Sequence, residues 1–218
     1  MKFKAIIFDC DGTMFDTETL SILSFTKTAE RINYQLPDDF FENIMGTTSK
    51  HIANYINSLP EIGPELPNIV KLWHDLIDEA CMNKDSLNKK GLIELLDYLF
   101  TNNYKVAIAS SSNINHIQKL LDHMTNQYQF DAIVSGTQVK NSKPAPDIFL
   151  KAAEILNVQP SECLVLEDSK NGIKAAKNAC MTNIFIKDVI EFDTNDYQYV
   201  DNELEDLSKV IDYLKENK

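Results

Sequence analysis

The sequence predicts an α/β protein with a doubly wound parallel sheet and an inserted all-helical domain. Five short apolar runs are of the kind that form buried strands, and amphipathic helical patterns separate them. Strands that alternate with helices along a chain pair in parallel, because each helix carries the chain back across the sheet. A third observation is a long helical stretch after the first strand, which breaks this alternation.

The five candidate strands are mostly continuous apolar runs, as expected of strands that helices cover on both faces. They span residues 3–8, 104–110, 130–136, 163–169 and 182–188. Between them, apolar residues recur three and four positions apart, which is the helical spacing. Helices are therefore expected at residues 92–100, 117–124 and 148–156, and a closing helix at 204–214.

The segment from residue 15 to residue 88 contains several helical patterns instead of one crossover. One apolar stripe runs from Ile22 to Ile32 and another from Ile69 to Ala80. We therefore predict a helical domain at residues 15–88, inserted into a catalytic core that consists of residues 1–14 and 89–218.

The composition limits the kind of partner. The chain has 218 residues and a formal net charge of -12, which argues against nucleic acid or anionic membrane surfaces as partners. No apolar run approaches the ~20 residues that span a bilayer, and the N-terminus enters the first strand without a leader pattern. We expect a cytoplasmic protein that binds no nucleic acid and no membrane, and a monomer by default.

The cysteines do not suggest a metal site or a disulfide framework. They form no CxxC pair and no grouping with the histidines. Cys10 lies between Asp9 and Asp11, whose charges oppose formation of a thiolate. We therefore expect Cys10 to be a small apolar residue of the core.

Polar side chains lie at or after the ends of four predicted strands. Because ligands of an open parallel sheet bind beyond the carboxyl ends of its strands, these side chains are expected to meet at one edge. They are Asp9 and Asp11 after the first strand, Ser110, Ser111 and Ser112 at the second, Lys143 after the third, and Glu167, Asp168 and Ser169 at the fourth.

The acidic residues at this edge suggest a metal site. Asp9 and Asp11 are two positions apart in an extended segment, so they project to the same side while Cys10 turns away. Together with Asp168 and Glu167 they form an all-oxygen cluster whose repulsion requires a cation. Hard oxygen ligands of this kind suit Mg²⁺ far better than zinc.

A positive charge and a hydroxyl accompany the acids. Lys143 and Ser110 can neutralise and hold the oxygens of an anionic group beside the metal. A phosphoryl group suits this combination, because its transfer needs charge neutralisation and donors for the equatorial oxygens. The sequence therefore favours phosphoryl chemistry.

Four segments, taken in order, resemble the motifs of one enzyme family. FDCDGTMFDTE, AIASSSN, SKPAPDIF and LEDSKNGIKAA are similar to the four motifs of the haloacid-dehalogenase-like superfamily. The resemblance spans residues 9–176 and is to the branch of small-molecule phosphatases and β-phosphoglucomutases. It implies a Rossmann-like core, with a helical cap at residues 15–88.

The resemblance implies a role for each matching residue. Asp9 would be the nucleophile, which forms an aspartyl-phosphate. Asp11 would protonate the leaving alcohol and then activate water as a base. Ser110 and Lys143 would hold the phosphoryl group, helped by the backbone N–H of Ser111.

The resemblance also implies a Mg²⁺ cofactor and a small phosphorylated metabolite as the partner. Asp168 would bind the ion together with the side chain of Asp9 and the main-chain oxygen of Asp11. Glu167 would ligate the ion either directly or through a water molecule.

The cap would select the alcohol that carries the phosphate. Its candidate contacts lie in residues 15–25 and in the loop MGTTSKH, where Gly46, Thr47 and Lys50 are predicted to bind substrate. Asp16 and Thr17 are expected to organise the loop or hinge. The sequence does not choose between a sugar phosphate and a phosphorylated organic acid.

A Mg²⁺-dependent phosphatase is the favoured function, and two alternatives stay open. A β-phosphoglucomutase would carry a histidine near Ser21 and an arginine in the cap loop, and this sequence has neither, although Lys50 or His51 could substitute. The other alternative is a phosphoacceptor signalling domain or a non-catalytic metabolite-binding protein. Asp11 argues against dehalogenation, because a halide leaves without a proton.

Overall fold

The centre of the structure is a parallel β-sheet. The computed structural model describes residues 2–45, 47, 49–189 and 191–217, and within them six strands pair in parallel in the order β3-β2-β1-β4-β5-β6. Their bounds are β1 (Ala5–Phe8), β2 (Lys105–Ser110), β3 (Ala132–Ser135), β4 (Cys163–Glu167), β5 (Thr182–Ile186) and β6 (Asn202–Leu204). The α/β prediction with a doubly wound parallel sheet is confirmed.

The helices fall into two groups along the chain. Four come between β1 and β2 in the sequence: α1 (Glu18–Arg31), α2 (Phe40–Ile44), α3 (Ser49–Asn57) and α4 (Leu66–Cys81). The others accompany the strands: α5 (Leu92–Thr101), α6 (Ile114–His123), α7 (Asp147–Leu156), α8 (Lys170–Asn178), α9 (Thr194–Tyr197) and α10 (Val210–Glu216). Within the described residues, no helix is long and apolar enough to span a bilayer.

The C-terminal end of the chain differs from the sequence prediction. A single closing helix over 204–214 was expected, but Leu204 ends β6, a 3₁₀ turn follows at Leu207–Lys209, and only then does α10 begin. The β6 segment has three residues, all partly exposed, so it has no apolar run that would mark it as a strand.

Apolar side chains cover both faces of the sheet. On one face, Ile6 and Phe8 pack with residues of α5, α6 and α10. On the other face, Ile7 and Val165 pack with residues of α7 and α8. Cys10 is fully buried in the first of these clusters, which confirms its prediction as a core residue.

Helices α1 to α4 pack around an apolar cluster of their own. Phe25, Phe40, Ile56 and Ile69 lie at its centre, and all four are nearly or fully buried. We refer to residues 15–88 as the helical insertion.

The two connections of the helical insertion run side by side. The N–H of Asp16 donates to the carbonyl of Leu87 at 2.8 Å, and the N–H of Lys89 donates to the carbonyl of Met14 at 2.9 Å. The chain therefore leaves and rejoins the sheet at one place, directly beyond β1.

Candidate active site

The carboxyl ends of β1, β2 and β4 enclose a small chamber. Phe8, the last residue of β1, is level with Ile108 of β2 and Leu166 of β4, so the residues that follow converge. The chamber has a volume of about 150 Å³. The predicted site residues that line it are Asp9, Asp11, Thr47, Ser110, Ser111, Lys143, Glu167 and Asp168.

One predicted substrate-binding residue of the described part of the chain, Lys50, is not among these lining residues. Lys50 is exposed on α3. Gly46 lies outside the described residues. Thr47 lines the chamber, and its hydroxyl donates to the carbonyl of Ile44 at 2.6 Å.

Lys143 connects two of the buried carboxylates. Its Nζ donates to Oε1 of Glu167 at 2.6 Å and also contacts Oδ1 of Asp9. The other oxygen of Glu167 accepts the N–H of Ser169 at 2.6 Å. Burial alone would lower the pKa of Lys143, but the two carboxylates raise it above its ordinary value. Lys143 is therefore a fixed positive charge at the end of β1.

The Asp9 carboxyl has a raised pKa. Burial is the largest cause and Glu167 adds to it, while Lys143 opposes it, and the pKa rises to about 7. A second cation beside Asp9 would favour its ionised form and lower this pKa.

Asp168 lies against the backbone that follows β1. The Thr13 hydroxyl donates to its Oδ1 at 2.6 Å. Burial, with the charges of Glu167 and Asp9, raises the pKa of Asp168 well above its ordinary value. Gly12 has a φ of +80°, and a Cβ there would lie 2.2 Å from Oδ2 of Asp168. Glycine at position 12 therefore permits this close approach.

The chemistry of the donor atoms, although not their arrangement, suits a hard divalent cation. Asp9, Glu167 and Asp168 are three buried acids, and the one buried ammonium beside them, Lys143, pairs with Asp9 and Glu167 only. All the donors are oxygens, as Mg²⁺ prefers. Within the described residues, no group of three His, Cys, Asp or Glu side chains has the arrangement of a metal site.

Asp11 is held by side chains from three segments. Its carboxylate accepts hydrogen bonds from the hydroxyls of Thr17 at 2.9 Å and Ser112 at 2.7 Å, with Ser110 more distant at 3.4 Å. Nε2 of His116 lies 2.8 Å from Oδ1 of Asp11, the oxygen that also accepts the Thr17 hydroxyl. Burial raises its pKa, but His116, Ser112 and Thr17 outweigh burial and lower the pKa to about 2.

The contact from His116 was missed in the sequence analysis. His116 lies in the first turn of α6, where the Asn113 side chain caps the helix by accepting the His116 N–H at 3.0 Å. The buried imidazole stacks on Trp73 of α4, with ring centroids 5.2 Å apart at 27°. No feature of the local sequence marks this contact, because it joins residues 105 positions apart.

Glu18 is a further acid that the sequence analysis did not assign. It lies at the start of α1 and lines the chamber. Burial, followed by the charge of Asp11, raises its pKa to about 8. Thr17, expected only to organise the loop, donates directly to Asp11.

The family is decided by a match over most of the chain. A model of the haloacid dehalogenase-like hydrolases matches residues 6–186, from β1 to the end of β5. The chain belongs to the haloacid dehalogenase-like hydrolase family. The resemblance noted from the four motifs is thereby confirmed, and the protein is an enzyme of this hydrolase family.

Relatives within the family are named as phosphatases or as phosphoglucomutases. A phosphorylated carbohydrates phosphatase of Thermotoga maritima is 33% identical over 183 residues, which cover 84% of this chain and 84% of that protein. A beta-phosphoglucomutase of Bacillus subtilis is 33% identical over 184 residues, covering 82% and 80%. The crystal structure of a putative beta-phosphoglucomutase from Thermotoga maritima has a TM-score of 0.76 at 28% identity, covering 98% and 99%.

Proposed function

We propose that this family member is a Mg²⁺-dependent phosphatase of small phosphomonoesters that acts through an aspartyl-phosphate on Asp9. The observation that carries the proposal is the Lys143 ammonium, which is buried against both Asp9 and Glu167 at the end of β1. It places one fixed positive charge beside a carboxylate nucleophile, in a chamber that Ser110, Ser111 and Ser112 also line.

In the first step a carboxylate oxygen of Asp9 attacks phosphorus, and the bond from phosphorus to the alcohol oxygen breaks. Asp11 gives its proton to that oxygen. In the second step the Asp11 carboxylate takes a proton from water, whose oxygen attacks the phosphorus. Inorganic phosphate then leaves, and the Asp9 carboxylate is restored.

Asp11 must gain a proton before the first step, because its pKa of about 2 keeps it ionised in the arrangement described. A phosphate dianion in the chamber would raise that pKa, since a nearby like charge disfavours the carboxylate. Substrate binding thus favours the protonated form of Asp11 that the reaction needs.

The remaining residues of the chamber would bind the phosphoryl group and Mg²⁺ and neutralise their charges. Lys143, the Ser110 hydroxyl and the Ser111 N–H would hold the phosphoryl oxygens, where donors act on developing charge. Asp9, Asp168 and Glu167, with the main-chain oxygen of Asp11, would hold Mg²⁺. That ion would supply positive charge against the phosphoryl oxygens.

We assign the helical insertion the role of a cap over the core. Ser21, Thr47, Ile52 and Trp73 of the insertion line the chamber opposite the strand ends. A cover of this kind excludes bulk water and contacts the leaving group. We take a monomer as the working unit.

A phosphosugar mutase is the second candidate, and the name of the Bacillus subtilis relative favours it. A mutase must hold a second phosphate, however. Among the described residues, Lys143 is the one lysine or arginine that lines the chamber. The sole arginine of the sequence, Arg31, pairs with Glu65 and is largely exposed. These observations favour the phosphatase.

Phosphate release from a panel of phosphorylated sugars and organic acids tests the proposal. We expect release that requires Mg²⁺ and is lost in Asp9→Asn, a variant of nearly the same shape. Glucose phosphate interconversion measured in parallel distinguishes the mutase. Interconversion faster than hydrolysis would reverse the ranking. No release from any ester would contradict the phosphatase, and the absence of both release and interconversion would contradict both candidates.

A further inference from the structure

A second cavity opens beside the chamber, between the helical insertion and the loop after β2. Its volume is about 430 Å³, roughly three times that of the chamber. Both spaces share the lining residues Ser21, Ile52, Trp73, Ser111 and Ser112. A molecule whose phosphate lies in the chamber would therefore extend its remaining part into this second space, which we call the apolar cavity.

The lining of the apolar cavity is dominated by hydrocarbon. Phe25, Leu66, Ile69 and Val70 of the helical insertion contribute to it, together with the shared Trp73. Serine, threonine and asparagine side chains add neutral hydrogen-bonding groups. Binding cavities of this composition take apolar groups and orient them through a few polar contacts.

Charge is missing from this lining. Within the part of the chain that the structure describes, no lysine, arginine, aspartate or glutamate lines the apolar cavity. Its ionisable side chains there are His74 and His116, and His116 is already engaged with Asp11. An anionic group placed here would lose its hydration without gaining a partner of fixed charge, which is strongly unfavourable.

We infer that the substrate is a phosphomonoester with a neutral, largely apolar leaving group of the size of an aromatic ring or larger. The inference rests on the proposed phosphatase function. It narrows the substrate class, because esters that carry a carboxylate or a second phosphate would bury that charge against hydrocarbon. It also disfavours leaving groups covered with hydroxyls, because part of such a group would lie against the hydrocarbon of Phe25, Leu66 and Ile69.

Three phosphate esters of primary alcohols provide the test, since their leaving groups differ little in acidity. The leaving group of benzyl phosphate is apolar, that of terminal glycerol phosphate is polar and neutral, and that of phosphoglycolate is anionic. We expect kcat/KM for benzyl phosphate to exceed that for the other two by at least about tenfold, as a hydrophobic pocket can provide. Equal values, or a preference for either polar ester, would overturn the inference and leave the phosphatase function standing.

Binding can be measured without turnover. Trp73 is the single tryptophan of the chain and lines both spaces, so its fluorescence reports their occupancy. In Asp9→Asn with Mg²⁺, we expect benzyl phosphate to have the lowest Kd of the three esters. This order together with an inactive wild-type enzyme would contradict the phosphatase function but support the cavity's ligand class. A lower Kd for phosphoglycolate would overturn that class.

One substitution should reverse the preference. Val70 lines the apolar cavity and is 44% exposed, so Val70→Lys can place an ammonium at its rim without disturbing the core. We expect the ratio of kcat/KM for phosphoglycolate to that for benzyl phosphate to rise at least about tenfold. Ile155→Lys is the matched control, because Ile155 is 50% exposed on α7. Equal ratios in the two variants would contradict the placement of the leaving group in the apolar cavity.

Discussion

Among the side chains that contact the Asp11 carboxylate, His116 contributes most to lowering its pKa. The imidazole is buried, hydrogen-bonded to Asp11 at 2.8 Å and stacked on Trp73 of the helical insertion. It therefore joins the proposed acid and base to the proposed cap. We regard His116 as a positioning residue, since it does not line the chamber itself.

Variants of His116 separate hydrogen bonding from packing. His116→Gln keeps an N–H donor, while His116→Leu fills similar space without one. We expect His116→Leu to lower kcat about tenfold with little change in KM, because hydrogen bonds to charged groups contribute ~1.5–3 kcal/mol. His116→Gln should recover part of this loss. Steady-state kinetics check the prediction, and equal kcat values in both variants would show that only packing matters.

Lys143 is predicted to act mainly in the transition state. Lys143→Ala removes the positive charge beside Asp9, so kcat should fall about 10²- to 10³-fold, as it does on loss of one electrostatic stabiliser. Lys140→Ala, an exposed lysine three positions earlier, is the control and should keep wild-type rates. A variant in which KM rises while kcat is unchanged would assign Lys143 to uniform substrate binding instead.

At the scale of the elements, the turn after β1 depends on Gly12. Gly12→Ala places a methyl group against Asp168 and strains a backbone with φ of +80°. We expect a loss of about 1–2 kcal/mol in unfolding free energy from the backbone and at least about a tenfold loss in kcat from displacement of Asp168.

Gly91→Ala is a matched control for the backbone effect. Gly91 has a φ of +84°, and its added Cβ would meet Ser208, which is not among the residues that line the chamber. It should lower stability without a comparable loss in kcat of the folded protein. Chemical denaturation and kinetics on both variants test this, and equal kcat values would contradict the role of Gly12 beside Asp168.

His123 makes the junction of the helical insertion sensitive to pH. The buried Nε2 of His123, at the end of α6, accepts the N–H of Leu87 at 3.1 Å, which requires an unprotonated nitrogen. Burial lowers its pKa below the ordinary value of 6.5. Below pH 6.5 the unfolded chain binds a proton that the folded chain does not, so the His123 contribution to stability is full above that pH and is lost below it.

His123→Gln retains an acceptor for Leu87 but does not titrate. The unfolding free energy of the wild type should therefore fall relative to this variant as the pH is lowered from 7.5 to 5.5. Denaturant unfolding across that range gives the difference directly. Parallel pH profiles for the two proteins would show that His123 does not contribute to the pH dependence.

Burial explains which elements could be predicted from the sequence. Strands β1, β2 and β4 are apolar nearly throughout, because helices cover both faces, and their runs are visible in the sequence. The partly exposed β6 has no such run and was missed. Helix α8 was not predicted either, since lysine, asparagine and glycine dominate its sequence and only a few of its side chains are buried.

The site likewise has features that the local sequence predicts and features that depend on how distant segments pack. Asp9 and Asp168 follow recognisable strands, so topology alone brings them together. The contact between His116 and Asp11 joins residues 105 positions apart, and nothing in the local sequence of either predicts it. The apolar cavity likewise depends on how the helical insertion lies over the loop after β2.

For the whole molecule, the charge balance explains how an acidic protein could bind a phosphate ester. The formal net charge of -12 repels anions, yet the chamber contains a buried Lys143 and carboxylates that suit a divalent cation. Removal of Mg²⁺ by a chelator should abolish phosphate release, and restoring the ion should recover it. Full activity in excess chelator would contradict the proposed cofactor.

The most direct test of the central claim is detection of the aspartyl-phosphate. Enzyme quenched in acid during turnover with Mg²⁺ and a phosphomonoester is reduced with borohydride, which converts a phosphorylated aspartate to homoserine. Peptide mass spectrometry should find homoserine at position 9 in the wild type and none in Asp9→Asn or without Mg²⁺. Phosphate release with no modification at position 9, or with modification of another carboxylate, would contradict Asp9 as the nucleophile.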